Sequence, residues 1–224
     1  GRVKVGSNDE IGVLARTVNT MVGGLRERFE LTKYVSAGTI GAITAGQEPK
    51  RVLRTLLFTD VRGFTSYTER QGPERVVSVL NRILEKQSEI IQGCGGDIDK
   101  FVGDAILAVF SGDKAPSRAC TAALRIVRLC AESVEEFEHL AVGTGIATGS
   151  VIHGMVGSAR RADFTVIGDS VNVASRLCGI AKGMQIVVCD AIHREVGSEF
   201  LFKGPFSVKL KNPPPEEVDL GPGL

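Results

Sequence analysis

The chain has 224 residues and a mass of 23.8 kDa, with 43% apolar and 24% charged residues, which is room for one sizeable core plus an appendage and excludes a disordered segment. Its 27 Lys and Arg balance 26 Asp and Glu to a formal charge of +1, which argues against a protein that holds nucleic acid by charge, so a bound anion must be met by local groups. The longest apolar run, Ala105 to Phe110, is far below the roughly 20 residues that a membrane helix needs.

In residues 7–31 the apolar positions Ile11, Leu14, Val18, Met21 and Leu25 recur at alternating steps of three and four, the seam of a coiled coil. Asn8 or Asp9 would cap this helix. With only about two heptads, an amphipathic helix packed on its own domain is the competing reading. A break at 46–50 precedes a buried strand at 52–61 that ends in Asp60. A short helix at 64–70 follows, and Pro73 opens a longer one with Val76, Leu80, Ile83, Leu84, Ile90 and Ile91 as its buried stripe. Gly95 and Gly96 stop it. Strands at 98–102 and 105–110 flank Gly103-Asp104, the Gly-x pair of a two-residue hairpin. A helix at 116–134, strands at 142–152 and 164–167, a helix at 170–181 and a strand at 185–188 complete the body. This order suggests an α+β fold, a ferredoxin-like βααβαββαβ arrangement with a mostly antiparallel sheet and helices on one face. The domain limits read as an arm at 1–31, a connector at 32–50, a body at 51–212 and a Pro-rich tail at 213–224.

Five cysteines, odd in number and without a Cys-x-x-Cys pair, read as buried thiols of a reducing compartment, and three dispersed histidines form no zinc-like cluster with them. No signal peptide is visible, and the missing initiator Met suggests a soluble fragment of something longer.

Asp60 stands where an apolar strand gives way to Arg62-Gly63-Phe64-Thr65, beside amides that open the next helix. Such amides suit phosphate, and a carboxylate beside them could hold a bridging cation; alone, Asp60 reads equally as a helix cap. Asp104 would reach the same sheet edge through strand pairing. Two converging carboxylates call for neutralising cations, and hard oxygen ligands favour Mg²⁺ or Mn²⁺ over zinc. Alone, Asp104 is a favoured turn residue. Asn172 and Arg176, four apart, share one helix face and can reach one ligand, or form a surface Asn and a helix-end Arg.

Three stretches resemble the signatures of class III nucleotide cyclases: 58–65 (Phe-Thr-Asp-Val-Arg-Gly-Phe-Thr), 100–104 (Lys-Phe-Val-Gly-Asp) and 165–176 (Thr-Val-Ile-Gly-Asp-Ser-Val-Asn-Val-Ala-Ser-Arg). The resemblance spans 52–211. It implies a homodimer with composite sites, in which Asp60, Asp104 and the Val61 carbonyl bind two Mg²⁺ or Mn²⁺ ions per active site. It further implies that Asn172 orients the ribose and Arg176 stabilises charge on the α-phosphate. Lys100 occupies the position where adenylate cyclases carry Lys and guanylate cyclases usually carry Glu, and Thr165 that of the second base-reading residue, a Lys/Thr pair found in a bacterial branch of adenylate cyclases. Asp163 is out of register with that position and reads as part of a loop at 158–163. Residues 208–212 resemble the family's Val-x-Leu-Lys-Gly phrase, with Asn212 in place of Gly; Lys211 is the choice for the triphosphate, and Lys203-Gly204 offers a rival alignment.

The function so implied is ATP conversion to 3′,5′-cyclic AMP and pyrophosphate. The alternatives are a guanylate cyclase or an inactive regulatory dimerisation domain. The arm, through Asn8 to Gly12, Leu14, Asn19 and Met21, resembles the second helix of a HAMP relay domain. That implies upstream membrane-sensor segments and a cytoplasmic place for this domain in a longer receptor.

Overall fold

The computed structural model describes residues 9–32, 48–158 and 161–204, without the side chains of 27–32 and 161. Lys211, the 208–212 phrase, the 213–224 tail and most of the 32–50 connector lie outside the described residues. The elements in order are α1 (Glu10–Thr32), β1 (Lys50–Arg62), α2 (Phe64–Thr68), α3 (Pro73–Gly93), β2 (Gly96–Val102), β3 (Ala105–Phe110), α4 (Ala115–Glu132), β4 (Ala141–Ser158), β5 (Arg161–Ile167), α5 (Asp169–Ile180), β6 (Ile186–Val188) and α6 (Asp190–Val196). The expected α+β arrangement is present, with the 96–110 hairpin contributing two strands and α6 added at the end.

The sheet runs β2-β3-β1-β4-β5, antiparallel throughout, and β6 joins β4 in parallel. Its spine is the β1–β4 ladder, from Lys50↔His153 to Arg62↔Ala141. On its other side β1 pairs with β3 from Thr55↔Phe110 to Asp60↔Ala105. The sheet is strongly curled. Its two outer strands, β2 and β5, come close enough for the Thr165 hydroxyl to donate to Asp99 at 2.8 Å.

Both sheet faces are covered, which corrects the one-sided expectation. Leu56 and Leu57 point to opposite faces and are each fully buried. One face receives α5. A Cβ on Gly145 would lie 2.2 Å from the Cys178 nitrogen and 2.3 Å from the Ala174 carbonyl, and one on Gly149 would meet Ser170, so these glycines let the helix rest on bare strand backbone. The opposite face, with Leu57, Val61, Val142 and Ile146, is covered with α4, against which α6 packs. Burying the largest of these side chains, including Phe110, Phe137, Ile126 and Leu177, stabilises the fold by roughly 1.5–3 kcal/mol each.

Four local differences from the expected elements stand out. In α3 the buried stripe is Val79, Ile83, Gln87 and Ile91: Ile83 and Ile91 are as expected, the other expected positions Val76, Leu80, Leu84 and Ile90 are half-buried beside it, and Val79 and Gln87 were missed because an amide at the centre hid the phase. Strand β4 runs on to Ser158 because its glycines are fitted to neighbours, Gly154 lying against Pro49, rather than breaking the strand. Asp163 is paired with Val156 inside β5, so the expected 158–163 loop is mostly ladder. Helix α6, unforeseen, buries Ile192 and Val196 one turn apart.

Helix α1 starts where Asp9 accepts from the Ile11 and Gly12 amides at 3.1 and 3.0 Å. Its expected seam faces outward: Ile11 is 73% exposed and Leu25 60%, while Gly12 and Ala15 are buried.

Candidate active site

Alternation along β1 aims Phe58, Asp60 and Arg62 at the α5 face, opposite Gly145 and Gly143. Asp60 ends the β1–β3 ladder against Ala105, the residue that follows Asp104 at the hairpin tip. Gly103 has φ 63° and Asp104 has no positive φ, the pattern of a type II′ turn. Hairpin geometry and strand register thus bring Asp104 beside Asp60. Burial raises the Asp60 carboxyl above the usual carboxylate range; Arg62 pulls it back and the Asp104 charge pushes it further up.

Arg62 was quoted in the sequence motif without a role. Its Nη1 lies 3.3 Å from Asp60 Oδ1, and Nη2 donates to the Cys178 carbonyl at 2.8 Å, at the C-terminal end of α5. The guanidinium fits there because position 143 is glycine: a Cβ would lie 2.5 Å from Arg62 Nε. It therefore ties the first aspartate to the helix that carries Asn172 and Arg176. Only its i+2 spacing from Asp60 could have signalled this.

The donor set fits a hard divalent cation. Two carboxylates, one partly desolvated and destabilised by the other, form a site that a cation relieves, and no third His, Cys, Asp or Glu joins them among the described residues. Val61 is buried one residue past the last β1–β3 pair. Gly63 takes φ 74° to turn the chain into α2, and the Phe64 and Thr65 amides precede the first helical bond, from Tyr67 N–H to Gly63 O, so neither has a helical acceptor. Phe64 packs on the core while Thr65 is exposed.

A second cluster lies on β2 and β5. Thr165 is buried and donates to Asp99 Oδ2, and Lys100 Nζ is 3.4 Å from the same oxygen. The Lys100 side chain is 40% exposed and that of Asp99 2%. A register shift between Ile98 and Lys100 leaves Asp99 as the extra residue of a β-bulge. Burial raises the Asp99 carboxyl, while the hydrogen bond from Thr165, the Lys100 ammonium and the Val166 amide pull it down. Sequence reasoning named Lys100 and Thr165 and missed Asp99, whose adjacency to Lys100 was the only visible signal.

Asn172 and Arg176 lie one turn apart on α5, on the side away from Ala174, Leu177 and Cys178, which bury against the sheet. Neither has a hydrogen-bond or ion-pair partner among the described residues. Within one chain, then, the two aspartates meet and the Lys100/Thr165 pair meets, while the Asn/Arg pair faces outward.

Residues 48–216 match the family of the adenylate and guanylate cyclase catalytic domain. The chain belongs to that family. An adenylate cyclase of Anabaena cylindrica is 34% identical over 219 residues, covering 84% of this chain and 42% of that protein, so the chain spans less than half the length of this curated relative. Among solved structures, the guanylyl cyclase Cya2 is 31% identical with a TM-score of 0.72, covering 77% of this chain and 91% of that one. The adenylyl cyclase CyaB from P. aeruginosa is 29% identical with a TM-score of 0.69, covering 78% and 100%. The cyclase domain accordingly shares its curled antiparallel sheet with structures of both nucleotide specificities. No helix among its described residues is long and apolar enough to cross a membrane.

Proposed function

We propose that this domain is an adenylate cyclase, cyclising ATP to 3′,5′-cyclic AMP and pyrophosphate at composite sites between two copies of the chain. The observation that carries the adenine reading is the convergence of Lys100 and Thr165 on one buried carboxylate, a donor and a hydroxyl held together where a base edge could meet them. Adenine presents a ring-nitrogen acceptor and an amino donor, which this pair complements.

Two Mg²⁺ or Mn²⁺ ions held by Asp60, Asp104 and the Val61 carbonyl would supply Lewis-acid activation of the ribose 3′-oxygen and charge neutralisation on the pyrophosphate. The Gly63, Phe64 and Thr65 backbone binds phosphate oxygens. Lys211, outside the described residues, is assigned to the triphosphate by the 208–212 phrase. Asn172 orients the ribose, and the Arg176 guanidinium stabilises charge that develops on the α-phosphate. No protein nucleophile is needed, and no side chain is assigned as general base. Composite sites are supported by the outward, unpartnered setting of Asn172 and Arg176, which leaves them to serve a second copy's aspartates. The exposed apolar seam of α1 supports a coiled-coil arm, read as the second HAMP helix of a longer, membrane-anchored receptor.

The likeness to a guanylyl cyclase structure favours cyclic GMP production as the second reading. Turnover of ATP and GTP by the purified chain, with Mg²⁺ and then Mn²⁺ and with cyclic products resolved from linear ones, tests both. Cyclic AMP supports the proposal; cyclic GMP overturns the base assignment, and a dimeric, nucleotide-binding chain without cyclic product overturns the activity.

A further inference from the structure

We propose that Asp99 is a specificity-determining positioning residue, which fixes the hydrogen-bond polarity that Thr165 and Lys100 present to the purine. The inference deepens the adenylate reading and rests on it.

A threonine hydroxyl has one proton and two lone pairs, so by rotation it can serve a donor or an acceptor. Unconstrained, Thr165 could donate to the guanine carbonyl as readily as it accepts from the adenine amino group. In this domain the freedom is removed. The Thr165 proton goes to Asp99 Oδ2 at 2.8 Å, and a carboxylate can only accept. What remains on the Thr165 oxygen is lone pairs, so a group meeting it from the base side must be a donor.

The same Oδ2 holds Lys100 Nζ at 3.4 Å. Lys100 is a flexible four-carbon chain, and its anchored ammonium supplies the complementary donor with less rotamer freedom left to lose on binding. One buried oxygen therefore sets one acceptor and one donor. The fold goes to some length to put it there: β2 bulges at Asp99, and the sheet curls until its outer strands touch at this bond. With its side chain 2% exposed, Asp99 is shielded from the nucleotide and acts through its two partners.

The test is a variant series on the whole chain. Asp99→Leu removes the acceptor at similar volume, Asp99→Asn keeps a carbonyl for the Thr165 proton, and Thr165→Val removes the hydroxyl at constant shape. Two readouts are taken: kcat/KM for ATP against GTP, and binding of 3′-deoxy-ATP against 3′-deoxy-GTP, which lack the attacking oxygen. Asp99→Leu and Thr165→Val are each expected to cut the ATP preference about tenfold or more in both readouts, mainly by loss of ATP affinity. Asp99→Asn is expected to retain most of the preference. Asp99→Leu added to Thr165→Val should cost much less than the product of the single effects, because both cut the same bond.

Parallel loss for both nucleotides in Asp99→Leu, or multiplying losses in the double variant, would overturn the assignment to Asp99 alone. If Asp99→Leu fails to fold, Thr165→Val and Asp99→Asn decide: an unmoved preference in the first or a collapsed one in the second also overturns it. A wild-type chain without an ATP preference would overturn the adenylate reading and this inference together.

Discussion

Gly145→Ala puts one methyl group between β4 and α5. The added Cβ would stand 2.2 Å from the Cys178 nitrogen and 2.3 Å from the Ala174 carbonyl, where ordinary contact begins at 3.4 Å. Both colliding atoms are backbone, so no rotamer change relieves the overlap and the helix must retreat by about an ångström. Overpacking of this kind costs about 3 kcal/mol, near the top of the usual range because the partners are rigid. For a domain of this size that lowers Tm by about 6–12 °C. Because α5 carries Asn172 and Arg176, an ångström of displacement should also reduce turnover by up to about a hundredfold. Gly179→Ala, on the same helix with nothing within 4 Å of the added atom, should instead raise stability by about 0.5 kcal/mol. Thermal unfolding and turnover measured on both variants check the pair. A Gly145→Ala domain with unchanged Tm and activity would show that the helix does not rest on strand backbone.

Asp60→Ala and Arg176→Ala are each expected to reduce turnover to background without unfolding the domain. An equimolar mixture should recover about a quarter of wild-type activity, since random pairing makes half of the dimers mixed and each mixed dimer holds one intact site; no recovery among demonstrated heterodimers refutes shared sites. Gln87 is fully buried, and neither amide atom has a partner among the described residues, so Gln87→Met should stabilise the domain by about 1 kcal/mol in chemical denaturation. Burial pushes the Cys120 and Cys178 thiols up to about 12, so at pH 8 iodoacetamide should modify the half-buried Cys94 first and reach those two only on unfolding. Rapid native labelling of Cys178, read by peptide mass, would refute its burial between α5 and the sheet.

The elements that carry the aspartates were legible because their signals are local. Asp60 lies near the end of an apolar run and Gly103-Asp104 sits between two short β-rich stretches, so pattern alone puts the second acid in a hairpin turn and the first close to a strand end, although β1 continues two residues past Asp60 to Arg62. Asp99 was illegible for the opposite reason: its contacts depend on a bulge and on sheet curl joining β2 to β5, and Thr165 lies 66 positions away in the chain. Strand β4 was legible as far as residue 152 with Gly145 and Gly149 inside it, but not its extension to Ser158, where Gly154 is fitted against Pro49, a contact between residues over a hundred positions apart that no local pattern signals. Similarly, the phase of α3 was obscured by Gln87, a polar residue at a core position.

The long β1–β4 ladder has a consequence for biosynthesis. Its partners are far apart in the chain, as in the Thr55–Thr148 hydroxyl pair 93 positions apart. A ribosome delivers β1 well before β4, and the nascent chain must carry a thirteen-residue strand with one side unmatched for that interval. The first half of β1 stays without a β3 partner even after folding, since the β1–β3 register begins at Thr55. Lys50, Arg51 and Arg54 occupy that half, and charges along an unpaired strand deter pairing with other chains. These three residues thus guard the strand while it waits, a task that makes no demand on the nucleotide site.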